Sequence, residues 1–185
     1  MTANLPGILA VVMAPSGQGR DHYLRETPLA PQAFSIERSI TIAAPAEAIF
    51  PFIVDFHQWK LWSPWEGLDP ALERTYGGPA GAVGGTYAWK GNRKAGQGSM
   101  KVTDVDEPDS VSVQLDFLKP FKASNRAVFT LTEDPAAAGT VVRWTMTGEN
   151  AGLAKFFAKI VSTDKLVGRD FERGLASLKL VAENR

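Results

Sequence analysis

Apolar and polar residues alternate through most of the middle of the chain, which is typical of strands that bury one face. The clearest alternation runs from Ser110 to Leu118, where valine, leucine and phenylalanine occupy every second position. Glycine, proline, asparagine and aspartate separate this run from its neighbours and mark turns. The pattern predicts seven strands: Phe34–Ala43, Leu72–Tyr76, Gly85–Lys90, Gly98–Val105, Ser110–Leu118, Ala123–Thr132 and Thr140–Gly148.

Three other segments follow a helical period. Pro45 favours a helix start after the first strand, and a second short helical segment, Phe56–Trp62, ends at Ser63-Pro64. The longest periodic segment is Gly152–Val181, which predicts one amphipathic helix with an apolar stripe that must be buried. The stripe comprises Leu153, Phe156, Phe157, Ile160, Val167, Phe171, Leu175 and Leu178.

The order of these elements predicts an α+β fold. No strand–helix–strand alternation occurs, so the seven-stranded sheet should be antiparallel. Seven strands make a sheet about 34 Å wide, and a helix of about 28 residues is about 42 Å long. We therefore expect a sheet wrapped round one long C-terminal helix, with two short helices after the first strand. Space remains between sheet and helix if the inner side chains do not fill it.

Composition places the folded domain at residues 34–185. Residues 1–33 contain prolines at positions 6, 15, 28 and 31 and show no period, so we expect a poorly ordered lead-in. Twenty basic and twenty acidic residues balance, which gives no attraction to nucleic acid. No apolar run approaches the ~20 residues of a membrane span, and Ile8–Ala14 is too short. We expect a soluble cytoplasmic protein without a transmembrane segment.

Several kinds of active site are disfavoured by the residue inventory. The chain has no cysteine and only two histidines, His22 and His57, so we expect neither a metal site nor a cofactor. His57 has no Gly-x-Ser-x-Gly partner of the kind found in hydrolases. The glycine-rich segment 77–85 leads into a strand instead of a helix, which indicates a hairpin connection and not a phosphate loop.

Large aromatic residues are the candidate binding groups. Trp59, Trp62 and Trp65 lie close together, but Pro64 prevents them from sharing one helical stripe, so they should edge a loop or a lid. A second set faces inward on the predicted strands and could line an apolar cavity. This set comprises Tyr87, Trp89, Met100, Phe117, Trp144 and Met146. The alternative is that these side chains simply fill the core.

Asp164 interrupts the apolar stripe of the long helix. A carboxylate there must find partners such as Arg38 or Tyr87, line a wet cavity, or keep its proton. Alternatively, a kink near Gly168 turns it to solvent. The carboxylates near the tryptophans are Asp55, Glu66 and Asp69, for which capping and turn chemistry is the simplest interpretation.

Six motifs resemble the SRPBCC superfamily, the START-like helix-grip proteins. They are Ile36–Ile42 with Ala44–Glu47, Trp59–Trp65, Tyr87–Asn92, Gly96–Met100, Trp144–Gly148 and Asp164–Phe171. The chain is most similar to the branch of polyketide cyclases and dehydrases and lipid transport. That resemblance implies a deep cavity that binds lipids, sterols or polyketides, with cyclisation or dehydration in a minority of members.

The leading hypothesis is non-catalytic binding of an apolar small molecule. The first alternative is a cyclase or dehydratase with Asp164 and Tyr87 as acid and base, and the second is an interaction module like the chaperone-activating branch. Few titratable groups are predicted on the inner faces, which favours binding because an enzyme needs a second acid or base within reach. The expected ligand-binding residues are Trp59, Trp62, Trp65, Tyr87, Trp89, Met100, Phe117, Trp144, Met146, Phe157 and Asp164.

Overall fold

A seven-stranded antiparallel sheet, two short helices and a C-terminal helix make up the residues that the computed structural model describes, namely 33–120, 122–149 and 163–184. The predicted fold class and order of elements are confirmed. The strands are β1 (Ala33–Ile42), β2 (Glu73–Gly77), β3 (Thr86–Lys90), β4 (Gln97–Asp106), β5 (Ser110–Lys119), β6 (Ala123–Asp134) and β7 (Gly139–Glu149). The helical elements are α1 (Ala46–Val54), a 3₁₀ helix (Phe56–Leu61) and α2 (Thr163–Glu183).

The sheet order is β1-β7-β6-β5-β4-β3-β2, and every neighbouring pair is antiparallel. Strands β2 to β7 follow one another as hairpins, whereas β1 pairs with the last strand through matches such as Ile36 with Met146. Strands β1 and β2 are the two edges. The chain passes from one edge to the other through α1 and the 3₁₀ helix, which places these helical elements over a face of the sheet.

Helix α1 is held by apolar burial and by polar groups at its end. Ile49, Phe52 and Ile53 are 1% exposed or less. Pro45 is the N-cap of α1, whereas the sequence predicts it as the first helical residue. The Asp55 side chain accepts a hydrogen bond from the His57 backbone N–H at 2.9 Å and thereby caps the 3₁₀ helix.

Helix α2 buries one face against the core through Phe171, Leu175, Leu178 and Ala182. Their spacing of four, three and four residues is that of a helical stripe, and burial of the predicted positions 171, 175 and 178 is confirmed. Residues 152–162 of the predicted helix lie outside the described residues. In the part of the chain that the structure describes, no helix is long and apolar enough to cross a membrane.

Polar contacts join the end of α2 to the end of β1. The Lys179 ammonium group donates a hydrogen bond to the Thr41 carbonyl at 2.7 Å, and the Ala43 N–H donates to the Glu183 carboxylate at 2.7 Å. Farther along, Arg38 Nε donates to Glu172 Oε1 at 2.8 Å. These contacts and the apolar stripe together fix α2 on the sheet beside β1.

Candidate functional site

A cavity of about 250 Å³ lies between the inner face of the sheet and the segment that follows α1. This volume falls just below the ~300–1,000 Å³ of typical small-molecule sites. The sheet supplies most of the wall, the segment from residue 59 to residue 72 supplies another part, and Val167 and Asp170 of α2 complete it. Apolar side chains from five strands form the sheet wall: Trp89, Met100, Leu115, Phe117, Ala127 and Met146.

The sheet register brings one row of the wall together across four strands. Tyr87 on β3 pairs with Met100 on β4, Met100 pairs with Leu115 on β5, and Leu115 pairs with Asn125 on β6. Directly paired side chains on one face of a sheet are neighbours. The row therefore crosses the cavity from a phenol to an amide, with apolar groups between them.

Trp144 lies at the centre of an aromatic cluster beside the cavity. Its ring stacks on Phe171 of α2 with centroids 3.9 Å apart and on Phe129 of β6 with centroids 4.9 Å apart. Three further rings meet it edge-on at 5.6 to 6.3 Å, namely those of Trp59, Trp62 and Trp65. One strand residue thus joins α2, β6 and the segment after α1.

Two of the tryptophans also cap the carbonyl groups at the C-terminal end of α1. The Trp59 indole N–H donates to the Ile53 carbonyl at 2.8 Å, and the Trp62 indole N–H donates to the Phe52 carbonyl at 2.9 Å. The last four carbonyls of a helix have no partner within the helix. These two side chains therefore hold α1 in place while filling the core, where they are 3% and 2% exposed.

The remaining three indoles differ in their hydrogen bonding. Trp65 donates to Asp170 Oδ2 at 3.3 Å, which ties the segment after α1 to α2. Trp89 donates to the Ala95 carbonyl at 3.0 Å. The indole N–H of Trp144 is buried and has no hydrogen-bond partner among the residues that the structure describes.

Most of the predicted binding residues lie on the cavity, and their roles in binding remain predictions. Trp62 differs from the expectation, because its ring is buried in the core and is not part of the cavity wall. Phe157 lies outside the described residues, and so does the side chain of Asp164. The predicted residues that line the cavity are Trp59, Trp65, Tyr87, Trp89, Met100, Phe117, Trp144 and Met146.

A carboxylate and a phenol meet on the cavity wall. The Tyr87 hydroxyl donates to Glu66 Oε1 at 3.2 Å, and Arg74 holds the other oxygen through its Nε at 2.9 Å. Burial first, and then the Glu66 carboxylate, raise the pKa of the Tyr87 phenol. The hydroxyl therefore stays protonated and acts as a donor. The sequence favours a capping or turn role for Glu66. In the folded chain, its carboxylate instead accepts the hydrogen bond from Tyr87.

Other charged groups lie where the cavity wall reaches the surface. Asp170 is paired with Arg173 and also accepts the Trp65 N–H. Lys94, after β3, and Lys119, at the end of β5, line the cavity and are exposed. Among the residues that the structure describes, no three histidine, aspartate or glutamate side chains are grouped so that they could hold a metal ion.

Asn125 is a wall residue that the sequence analysis missed. Its side chain is 2% exposed, and neither Oδ1 nor Nδ2 has a hydrogen-bond partner within the described part of the chain. A buried polar group without a partner costs about 1–3 kcal/mol. A signal was available, because Asn125 occupies an inward position in the alternation of β6, between Ala123 and Ala127.

Comparison with known proteins gives one family. The family model described as polyketide cyclase / dehydrase and lipid transport matches residues 33–183. No curated protein matches the sequence. The matched range includes every strand, both short helices and α2.

Solved structures share this fold at low sequence identity. A protein from Nitrosospira multiformis is 20% identical with a TM-score of 0.57, and the match covers 80% of this chain and 94% of that one. A Rhizobium leguminosarum protein is 14% identical with a TM-score of 0.59, covering 84% and 98%. Ginseng major latex-like protein 151 from Panax ginseng is 13% identical with a TM-score of 0.58, covering 81% and 97%. At these identities, the likeness concerns the fold alone.

Proposed function

The chain belongs to the polyketide cyclase / dehydrase and lipid transport family, and we propose that it binds an apolar small molecule without transforming it. The ligand would be a lipid, sterol or polyketide-like molecule held against the inner face of the sheet. The observation that carries this proposal is the cavity of about 250 Å³ with a largely apolar wall. A concave, mostly apolar wall with few polar groups is typical of small-molecule sites.

The polar groups of the wall favour binding over catalysis. Glu66 is already paired with Arg74, and Asp170 with Arg173, so both carboxylates have partners without a substrate. Tyr87 has a raised pKa, which makes its hydroxyl a weaker acid. These groups can orient a ligand through hydrogen bonds. Function in the cytoplasm remains a prediction.

The test uses a matched pair of substitutions that add the same bulk at two faces of the sheet. Ala127 lines the cavity, whereas Ala88 on β3 is exposed. Ala127→Leu should occupy cavity volume and prevent ligand retention, and Ala88→Leu should retain the ligand. Native mass spectrometry of each protein, purified from its own host, measures retention. Equal retention by both variants, or no bound molecule on the wild type, would contradict the proposal.

A second candidate function, dehydration or cyclisation, is favoured by one contact. Tyr87 and Glu66 lie within hydrogen-bond distance of each other on the cavity wall, which puts a proton donor and a proton acceptor beside one bound molecule. Glu66→Gln discriminates between the two functions. A binding protein would release the same molecule from wild type and variant, whereas a dehydratase would accumulate in the variant a substrate heavier by one water. A cyclase would accumulate an isomer that chromatography separates.

A further inference from the structure

Two polar groups of the cavity wall have no partner within the described part of the chain. They are the side-chain amide of Asn125 and the indole N–H of Trp144, and each residue is 2% exposed. Both residues line the cavity. The other four indoles of the chain donate to a carbonyl or a carboxylate, so Trp144 departs from the pattern of its own neighbours.

The Asn125 amide lies over a glycine on the adjacent strand. Asn125 pairs with Gly148 of β7, and a Cβ built on Gly148 would lie 2.0 Å from Asn125 Oδ1. A side chain at position 148 would have to displace the amide. On the other side Asn125 pairs with Leu115, and the next pair on the same face of β6 and β7 is Ala127 with Met146. The amide is therefore held by packing in apolar surroundings, with its hydrogen-bonding capacity unused by these neighbours.

We propose that Asn125 determines the specificity of the cavity by selecting an apolar ligand that carries a neutral hydroxyl group. This inference rests on the binding function proposed above. An asparagine amide both donates and accepts, and a hydroxyl offers the complementary acceptor and donor in one small group. Trp144 can only donate, so it would take a carbonyl or ether oxygen of the same molecule.

The surrounding charges favour a neutral partner over an ionised one. A carboxylate offers only acceptors and would leave the Asn125 oxygen without a donor. Burial of an ion also needs a nearby opposite charge. The only basic side chains on the described cavity wall are Lys94 and Lys119, which are exposed to solvent.

The experiment compares two probes of the same shape, 2-naphthol and 2-methylnaphthalene, by isothermal titration calorimetry. They differ by a hydroxyl in place of a methyl group. Wild type should bind 2-naphthol about tenfold more tightly, since one net hydrogen bond has about that value. Asn125→Leu should abolish or reverse this preference. Thr132→Leu, which places the same side chain at an exposed position of β6 away from the cavity wall, is the matched control and should keep it.

Each outcome separates the two proposals. Equal affinities for both probes in wild type and in Asn125→Leu would overturn the role of Asn125 and leave the binding function intact. No binding of either probe to wild type would overturn both. If Asn125→Leu does not fold, Asn125→Ala replaces it, with the same loss of preference expected. A preference that survives in a folded Asn125 variant would overturn this inference alone.

Discussion

The rings of Trp144 on β7 and Phe171 on α2 stack nearly parallel, with centroids 3.9 Å apart and an interplanar angle of 5°. This contact joins the sheet to the C-terminal helix at the edge of the cavity. Phe171 is fully buried, and Trp65 meets it from the segment after α1 at a centroid distance of 6.3 Å. Sheet, helix and connecting segment thus meet in one aromatic group.

Truncation of Phe171 should weaken this junction strongly. Phe171→Ala removes a fully buried ring and leaves a void, for which we expect a loss of about 3–5 kcal/mol in the free energy of unfolding. Leu180→Ala on the same helix is the control, since Leu180 is 63% exposed and should cost about 0.5 kcal/mol or less. Urea denaturation measures both. Similar losses in the two variants would refute this account of how α2 is held.

The tryptophans of the segment after α1 should separate into structural and ligand-facing roles. Trp62 does not line the cavity but donates to the Phe52 carbonyl, so Trp62→Phe should lower stability by about 1–3 kcal/mol and leave ligand binding unchanged. Trp65 lines the cavity and is partly buried, so Trp65→Phe should alter ligand affinity. Unfolding curves and apolar-ligand titrations test the pair. Ligand affinity altered by Trp62→Phe alone would contradict the assignment.

The inner face of the sheet was predictable from sequence because alternation fixes which side chains share a face. Trp89 and Trp144 were placed inward on that basis, and both line the cavity. The same alternation also marks Asn125 as a polar residue at an inward position. It does not show which atoms surround the amide. The room that the amide occupies depends on Gly148, a neighbour 23 residues away in sequence that only the strand register brings opposite.

The segment after α1 could not be placed from sequence for a different reason. It is a 3₁₀ helix followed by turns, so neither a strand nor an α-helical period assigns its faces. Trp62 is directed to the α1 carbonyls by that local geometry. Glu66 lies in the same region, and its contacts with Tyr87 and Arg74 arise when β2 and β3 form their hairpin.

Asp55 gives the fold a defined sensitivity to acid. Burial, the largest influence, acts to raise the pKa of its carboxyl, but hydrogen bonds from the backbone and ring of His57 and from Gln58 outweigh it. The net pKa lies below the ordinary value of 3.8. Because the folded-state pKa is the lower one, the carboxylate stabilises the fold above pH 3.8, and this stabilisation is lost as the pH falls through the folded value.

Removal of the Asp55 carboxylate should therefore have a pH-dependent cost. Asp55→Ala should lower the free energy of unfolding by about 1 kcal/mol near neutral pH, through loss of the cap on the 3₁₀ helix. The difference from wild type should shrink below pH 3.8. Asp104→Ala, at an exposed position on β4, is the control. A difference that stays constant from neutral to acid pH would mean that the carboxylate charge contributes nothing.

Gly98 provides the sharpest test of how the cavity wall is built. Gly98 pairs with Trp89, and a Cβ there would lie 2.5 Å from the Trp89 ring and 2.5 Å from the Asp116 carbonyl oxygen. Since the carbonyl belongs to the backbone of β5, Gly98→Ala must displace either the strand or the ring, and overpacking of this kind costs about 1–3 kcal/mol in the free energy of unfolding.

Gly67→Ala is the matched control, because no atom lies within 4 Å of its Cβ position. We expect Gly98→Ala to lower both the urea midpoint and the affinity for apolar ligands, and Gly67→Ala to change neither. Unchanged affinity in Gly98→Ala would show that the Trp89 ring does not form part of the binding surface.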